Sequence, residues 1–166
     1  APEAAAAYRR ALEVRPGDPI AQVNLGAVLR DLGEFDAAEE VLRAAVAARP
    51  EFVPALANLG LVLSELERPA DAAAVLEKAA TVSPQAAEVH FALAGAYSAL
   101  YRLDEAKASY RRALALRPEF VFTRWNLSHL ELLTESFDAG WELFDSRWEI
   151  QPLASRRWSG AQPQWV

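Results

Sequence analysis

An all-α solenoid of antiparallel helix pairs is the fold this sequence predicts, and three observations predict it. Prolines recur every 34 residues, at Pro16, Pro50, Pro84, Pro118 and Pro152. Small and large residues keep the same register: Gly26, Gly60, Ala94 and Ser128 follow each proline by ten positions, and Leu42, Leu76, Tyr110 and Phe144 by 26. The composition favours helix, with 35 alanines, 22 leucines and only 7 glycines in 166 residues. A period of this length marks a repeat architecture, in which no unit buries its own core and stability comes from stacking.

The register divides the chain in order. Residues 1–16 are the second helix of an incomplete unit, with Ala4, Tyr8 and Ala11 in phase. Four units follow, at 17–50, 51–84, 85–118 and 119–152, and 153–166 reads as an extended tail or the start of a linker to a further domain. Apolar residues at i, i+3, i+4 and i+7 place helices over 2–15, 19–32, 36–48, 53–66, 70–82, 87–100, 104–116, 121–134 and 138–149. Asp18-Pro19 is a cap followed by a first-turn proline. Asp36, Asp104 and Asp138 stand where second helices begin, as caps or as charges that offset the helix dipole. Gly33 fits a helix end. Each register proline ends a second helix and opens the turn to the next unit.

This pattern resembles the tetratricopeptide repeat over roughly nine-tenths of the chain. The resemblance implies a right-handed superhelix with a concave groove lined by the first helix of each pair. It also implies a protein or peptide partner. Eight residues after each proline, at a groove position of that family, stand Asn24, Asn58, Ala92 and Asn126. An asparagine side chain offers both donor and acceptor to an extended backbone. In this the chain is similar to the repeat region of O-linked N-acetylglucosamine transferases, although Ala92 interrupts the ladder; the alternative is that the asparagines only space adjacent helices. Val23, Leu61, Phe91 and Trp125 are expected beside them as apolar groove residues, together with Ile20. Phe122 is expected to be buried. The basic clamp by which some relatives hold acidic tails is missing, its positions reading Val23, Glu88 and Ala92.

The C-terminal end changes character, with all five tryptophans from Trp125 onward. Glu131, Gly140 and Arg147 depart from the repeat pattern. Trp141, Phe144 and Trp148 share one helical face, as a terminal cap or as a face for docking a following domain. The run from Phe137 through Trp141, with Trp148 and Gln162-Pro163-Gln164-Trp165, resembles the junction in bacterial proteins that join such repeats to a glycosyltransferase-like domain. Under that resemblance the chain is a substrate-recognition arm whose catalytic domain is absent. A third reading is self-association into a homo-oligomer through uncapped ends.

Other function classes find little support. The net charge is −6 and no basic stripe exists for nucleic acid. No apolar run approaches the ~18 residues of a membrane span. There is no cysteine for zinc, iron–sulfur or thiol chemistry. No phosphate loop or nucleophile elbow occurs. His90 and His129 lie on successive first helices, yet a metal needs at least three placed ligands. Glu39, Glu40, Glu65 and Glu67 are spaced as solvated helix surface rather than as an acid–base pair. The expectation is a non-enzymatic module without cofactor or metal. No methionine occurs, which reads as a fragment or processed product; the alanine- and arginine-rich composition with two lysines points to a GC-rich bacterial genome, and the lack of cysteine is compatible with the expected cytoplasmic location.

Overall fold

The computed structural model describes residues 2–145, and every regular element within them is helical. The helices are α1 Pro2–Val14, α2 Pro19–Asp31, α3 Phe35–Ala48, α4 Val53–Glu65, α5 Pro69–Val82, α6 Ala87–Ala99, α7 Leu103–Leu116, α8 Val121–Leu133 and α9 Phe137–Phe144. Trp148, the last turn expected for the ninth helix and the 153–166 segment lie outside the described residues. The pairs α2–α3, α4–α5, α6–α7 and α8–α9 pack within units, and each second helix packs onto the next first helix. First helices of successive units also meet, α2 with α4 and α4 with α6, so they form the inner face of the stack.

The starts and stops follow from local chemistry. Asp18 accepts a hydrogen bond from the Ile20 amide at 3.0 Å ahead of Pro19. Asp36, Asp104 and Asp138 make no cap; they sit inside the first turns of α3, α7 and α9, where a negative charge opposes the dipole. The turn inside each unit repeats one backbone geometry. Gly33, Glu67, Tyr101 and Glu135 all have positive φ, from 56 to 78°. The next amide returns to a carbonyl five residues back, Glu34 to Leu29, Arg68 to Leu63, Arg102 to Tyr97 and Ser136 to Glu131, at 2.8–3.0 Å. This is the Schellman ending, which favours glycine, although only the first unit has one.

The paired helices approach closely because small residues face large ones. A Cβ built on Gly26 would stand 2.5 Å from Leu42 Cγ, and one on Gly60 2.4 Å from Leu76 Cγ. Both leucines are fully buried. At the same positions the third and fourth units carry Ala94 with Tyr110 and Ser128 with Phe144. A flat ring leaves room for one more atom than a branched leucine does. Gly140 answers a different neighbour, since its Cβ would lie 2.7 Å from Leu132 Cγ and 3.0 Å from the Leu132 backbone nitrogen.

Ion pairs stitch units together along the outside. Arg68 donates to Glu39 of the preceding unit at 2.9 Å and to Asp71 at 2.6 Å. Arg102, 34 residues on, pairs with Glu105 at 2.5 Å and lies over the Tyr97 ring at 4.3 Å. Tyr97 donates its hydroxyl to Glu77 at 2.9 Å, and burial with that carboxylate pushes its pKa up to about 12. Burial works against the Glu39 charge, but bonds from Arg43 and Arg68 outweigh it and hold the carboxyl below the usual range. Glu105 is held low by its bond from Arg102. Glu88 is held low by its own backbone amide and by Arg117, against the effect of burial.

Two predictions follow from this packing. Gly60→Ala is expected to destabilise the chain by about 1–2 kcal/mol, overpacking against Leu76 outweighing the better helix propensity of alanine. Gly95→Ala, whose Cβ would meet nothing within 4 Å, is expected to stabilise it by about 0.5–1 kcal/mol. Urea melts of both variants check this, and equal effects of one sign would contradict the packing described. For the ion pairs, the folded carboxylates bind protons more weakly than unfolded ones. Their stabilisation is therefore complete above the ordinary value of 4.5 and is lost as pH falls through the lower folded values. Melting temperatures from pH 7 down to pH 3 are expected to fall, and to fall less in Arg68→Ala.

Candidate functional site

The first helices repeat four columns along the inner face, 34 residues apart. They are Val23, Ala57, Phe91 and Trp125; Asn24, Asn58, Ala92 and Asn126; Ala27, Leu61, Gly95 and His129; and Asp31, Glu65, Ala99 and Leu133. On α6 three of these columns shrink together, to Ala92, Gly95 and Ala99. The result is an open hollow of about 450 Å³ over α6. Leu61 of α4, Phe91 of α6, Tyr110 of α7 and Asn126 of α8 wall it, with Ser64, Glu67 and Pro69 at its rim. Leu61, Phe91 and Asn126, which sequence reasoning singled out, thus meet in one site. The residue that interrupts the asparagine ladder, Ala92, forms part of the hollow.

Asn58 and Asn126 are already engaged within the fold. Asn58 donates to the Pro54 carbonyl at 2.9 Å and accepts from Arg30 at 3.4 Å. Asn126 donates to the Tyr110 hydroxyl at 3.2 Å. Asn24 is half-buried on α2. An amide has two N–H groups and two oxygen lone pairs, so these bonds leave hydrogen-bonding capacity at Asn58 and Asn126. Burial raises the Tyr110 pKa against the opposing bonds to Asn126 and Ser98, which keeps the hydroxyl neutral at the wall of the hollow.

Other expected residues lie elsewhere. Val23 is buried in the core, with 7% of its surface exposed, and does not line the groove. Its column turns inward on α2, whereas the larger rings of the later units stay half-exposed. Phe122, expected to be buried, is 56% exposed; Ile20, expected beside the groove, is exposed. Phe91 packs on Phe120 at 4.8 Å and Tyr110 at 5.8 Å between ring centroids. Trp125 instead stacks on Phe144 at 5.4 Å and meets His129 edge-on. Phe144 is accordingly half-buried, and Trp141 is exposed at the end of the stack. Trp148 is outside the described residues.

Tyr110, Gly95 and Glu67 were missed. A glycine inside a helix is costly and signals a spatial reason, so Gly95 among Ala27, Leu61 and His129 was the available clue.

Each histidine is engaged by a backbone carbonyl. His90 Nε2 donates to the Pro84 carbonyl at 3.0 Å and His129 Nδ1 to the Trp125 carbonyl at 2.8 Å. Among the described residues no three His, Asp or Glu side chains gather to hold a metal. No helix among them is long and apolar enough to cross a membrane.

Comparison with known proteins agrees with this architecture. Two tetratricopeptide repeat models match, over residues 1–51 and 63–125. No curated protein matches the chain. Among solved structures the chain is similar to TTC0263, a thermophilic tetratricopeptide repeat protein of Thermus thermophilus, at 26% identity and TM-score 0.77, covering 92% of this chain and 84% of that one. It is similar to MamA of Desulfovibrio magneticus RS-1 at 23% identity and TM-score 0.78, covering 86% and 81%. The same holds for YrrB, at 24% identity and TM-score 0.72, covering 92% and 81%. The 34-residue register, the stacked helix pairs and the two matched models together make this chain a member of the tetratricopeptide repeat family.

Proposed function

We propose that this chain is a non-catalytic interaction module that holds an extended peptide or protein segment along the inner face of its first helices. The observation that carries the reading is the hollow over α6, where Leu61, Phe91 and Asn126 meet. An apolar concavity with a few polar groups on its walls is the usual form of a binding site. YrrB, a structural neighbour, is described as having an unusual peptide-binding site, which adds support from the shared fold. The carboxylates on the helix surfaces are paired or solvated, and no acid–base pair is needed for this role.

The test is a selection of random twelve-residue peptides displayed on phage against the immobilised full chain. Enriched peptides are expected to bind Asn58→Ala/Asn126→Ala about fivefold more weakly or worse, the scale of one or two net hydrogen bonds. Circular dichroism should remain that of the wild type. Absence of enrichment, or full affinity in the double variant, would count against the groove.

A second reading concerns the far end of the stack. Leu133, Phe137 and Trp141 are 66%, 55% and 59% exposed at the end of α8 and along α9. Clustered apolar exposure of this kind supports docking of a following element or a second copy. Concentration-dependent mass in sedimentation, lost in Trp141→Ser, is the expected signature of self-association.

A further inference from the structure

We infer that the hollow over α6 selects one large apolar side chain, aromatic or leucine-sized, carried next to a lysine or arginine in the bound peptide. This rests on the groove reading above and narrows its ligand.

Size and chemistry set the apolar half. The hollow of about 450 Å³ lies within the roughly 300–1,000 Å³ typical of binding cavities. Its apolar walls are Leu61, Phe91, Ala92 and Ala99, with Pro69 at the rim. Gly95 adds space, since nothing stands within 4 Å of where its Cβ would be. Neighbouring units carry Leu61 and His129 in the same column, so the cavity is local to α6 and takes one side chain rather than a repeating series. Phe91 offers a ring edge or face to an incoming aromatic group. Tyr110 and Asn126 add a polar wall that an indole N–H can address.

Charge sets the other half. Glu67 lines the hollow, and Glu65 stands one repeat before Ala99 in the same column. Among the described residues neither carboxylate is in an ion pair. The nearby cations are committed: Arg68 to Glu39 and Asp71, Arg30 to Asp31 and Asn58, Arg102 to Glu105. The rim is therefore negative without internal compensation, on a chain of net charge −6. A cationic neighbour is attracted there and an acidic one repelled.

The phage selection described above tests both halves. Enriched peptides are expected to place an aromatic residue or leucine beside lysine or arginine. Synthetic copies should bind Gly95→Leu, which fills the hollow, at least tenfold more weakly, with helicity retained. Ala99→Leu, at the exposed end of α6, is the second closing variant should the first perturb folding. Glu67→Lys is expected to lose the basic peptide and to prefer its lysine-to-glutamate copy. Enriched peptides that bind Gly95→Leu and Ala99→Leu normally but lose affinity in Asn58→Ala/Asn126→Ala would end this inference and leave the groove reading standing. Enrichment of acidic sequences would end it too, and no enrichment at all would end both.

Discussion

The close approach of the two helices in each pair is the constraint on which the remaining structure depends. It requires a small residue on one helix opposite a large one on its partner. Gly26 against Leu42 and Gly60 against Leu76 meet that requirement at a distance no Cβ tolerates. The second helices are thereby fixed against the first, and the first helices are left to meet their neighbours on the inner face. Stacking then transmits the geometry, because each unit buries its apolar surface only against the next. The groove is a consequence of this arrangement and needs no dedicated scaffold.

Departures from the repeat give the groove its character. A strict repetition of unit two through the stack would place leucine at position 95 and asparagine at 92, which would close the hollow and complete the ladder. The third unit instead carries Ala92, Gly95 and Ala99 together. The same principle operates on the outer side. Leu29 and Leu63 are buried where the third unit has Tyr97 and the fourth Glu131. Tyr97 donates to Glu77, and Glu131 accepts from Arg111 at 2.5 Å, so one pair of register positions exchanges donor and acceptor between units. A buried carboxylate is tolerated at Glu131 because a cation from the preceding unit reaches it. The units thus share one backbone but differ in side-chain chemistry.

Much of the fold was legible because the period is visible in residues with strong backbone or steric meaning. Prolines mark each turn between units, and glycine, alanine or serine marks each close approach. Helix boundaries read from these signals agree with the structure to within a residue through α8. The turn inside each unit was legible only at Gly33. Glu67, Tyr101 and Glu135 adopt the same left-handed geometry without any residue preference that announces it, so the backbone bond to the carbonyl five residues earlier decides their conformation. The site was less legible. Residues were sought for what they offer, which found Leu61, Phe91 and Asn126. The hollow exists through what three residues lack, and of those absences only Gly95, a glycine inside a helix, stands out in one dimension. Val23 and Phe122 exchanged places for a related reason: helical periodicity assigns a face, but the depth of a residue depends on the neighbouring unit.

The hollow also sits where occupancy would matter most mechanically. Its walls come from α4, α6, α7 and α8, which belong to three successive units. In a stack held by nearest-neighbour interfaces, a ligand that touches units two, three and four adds contacts across two interfaces at once. Any binding free energy gained only in the native stack stabilises both interfaces together by mass action. Glu131 ties α8 to α7, and the Trp125–Phe144 stack ties it to α9. A ligand at α6 would therefore act through the same contacts that build the solenoid. A side chain seated between Leu61 and Asn126 acts on the fold as one further inter-unit packing residue.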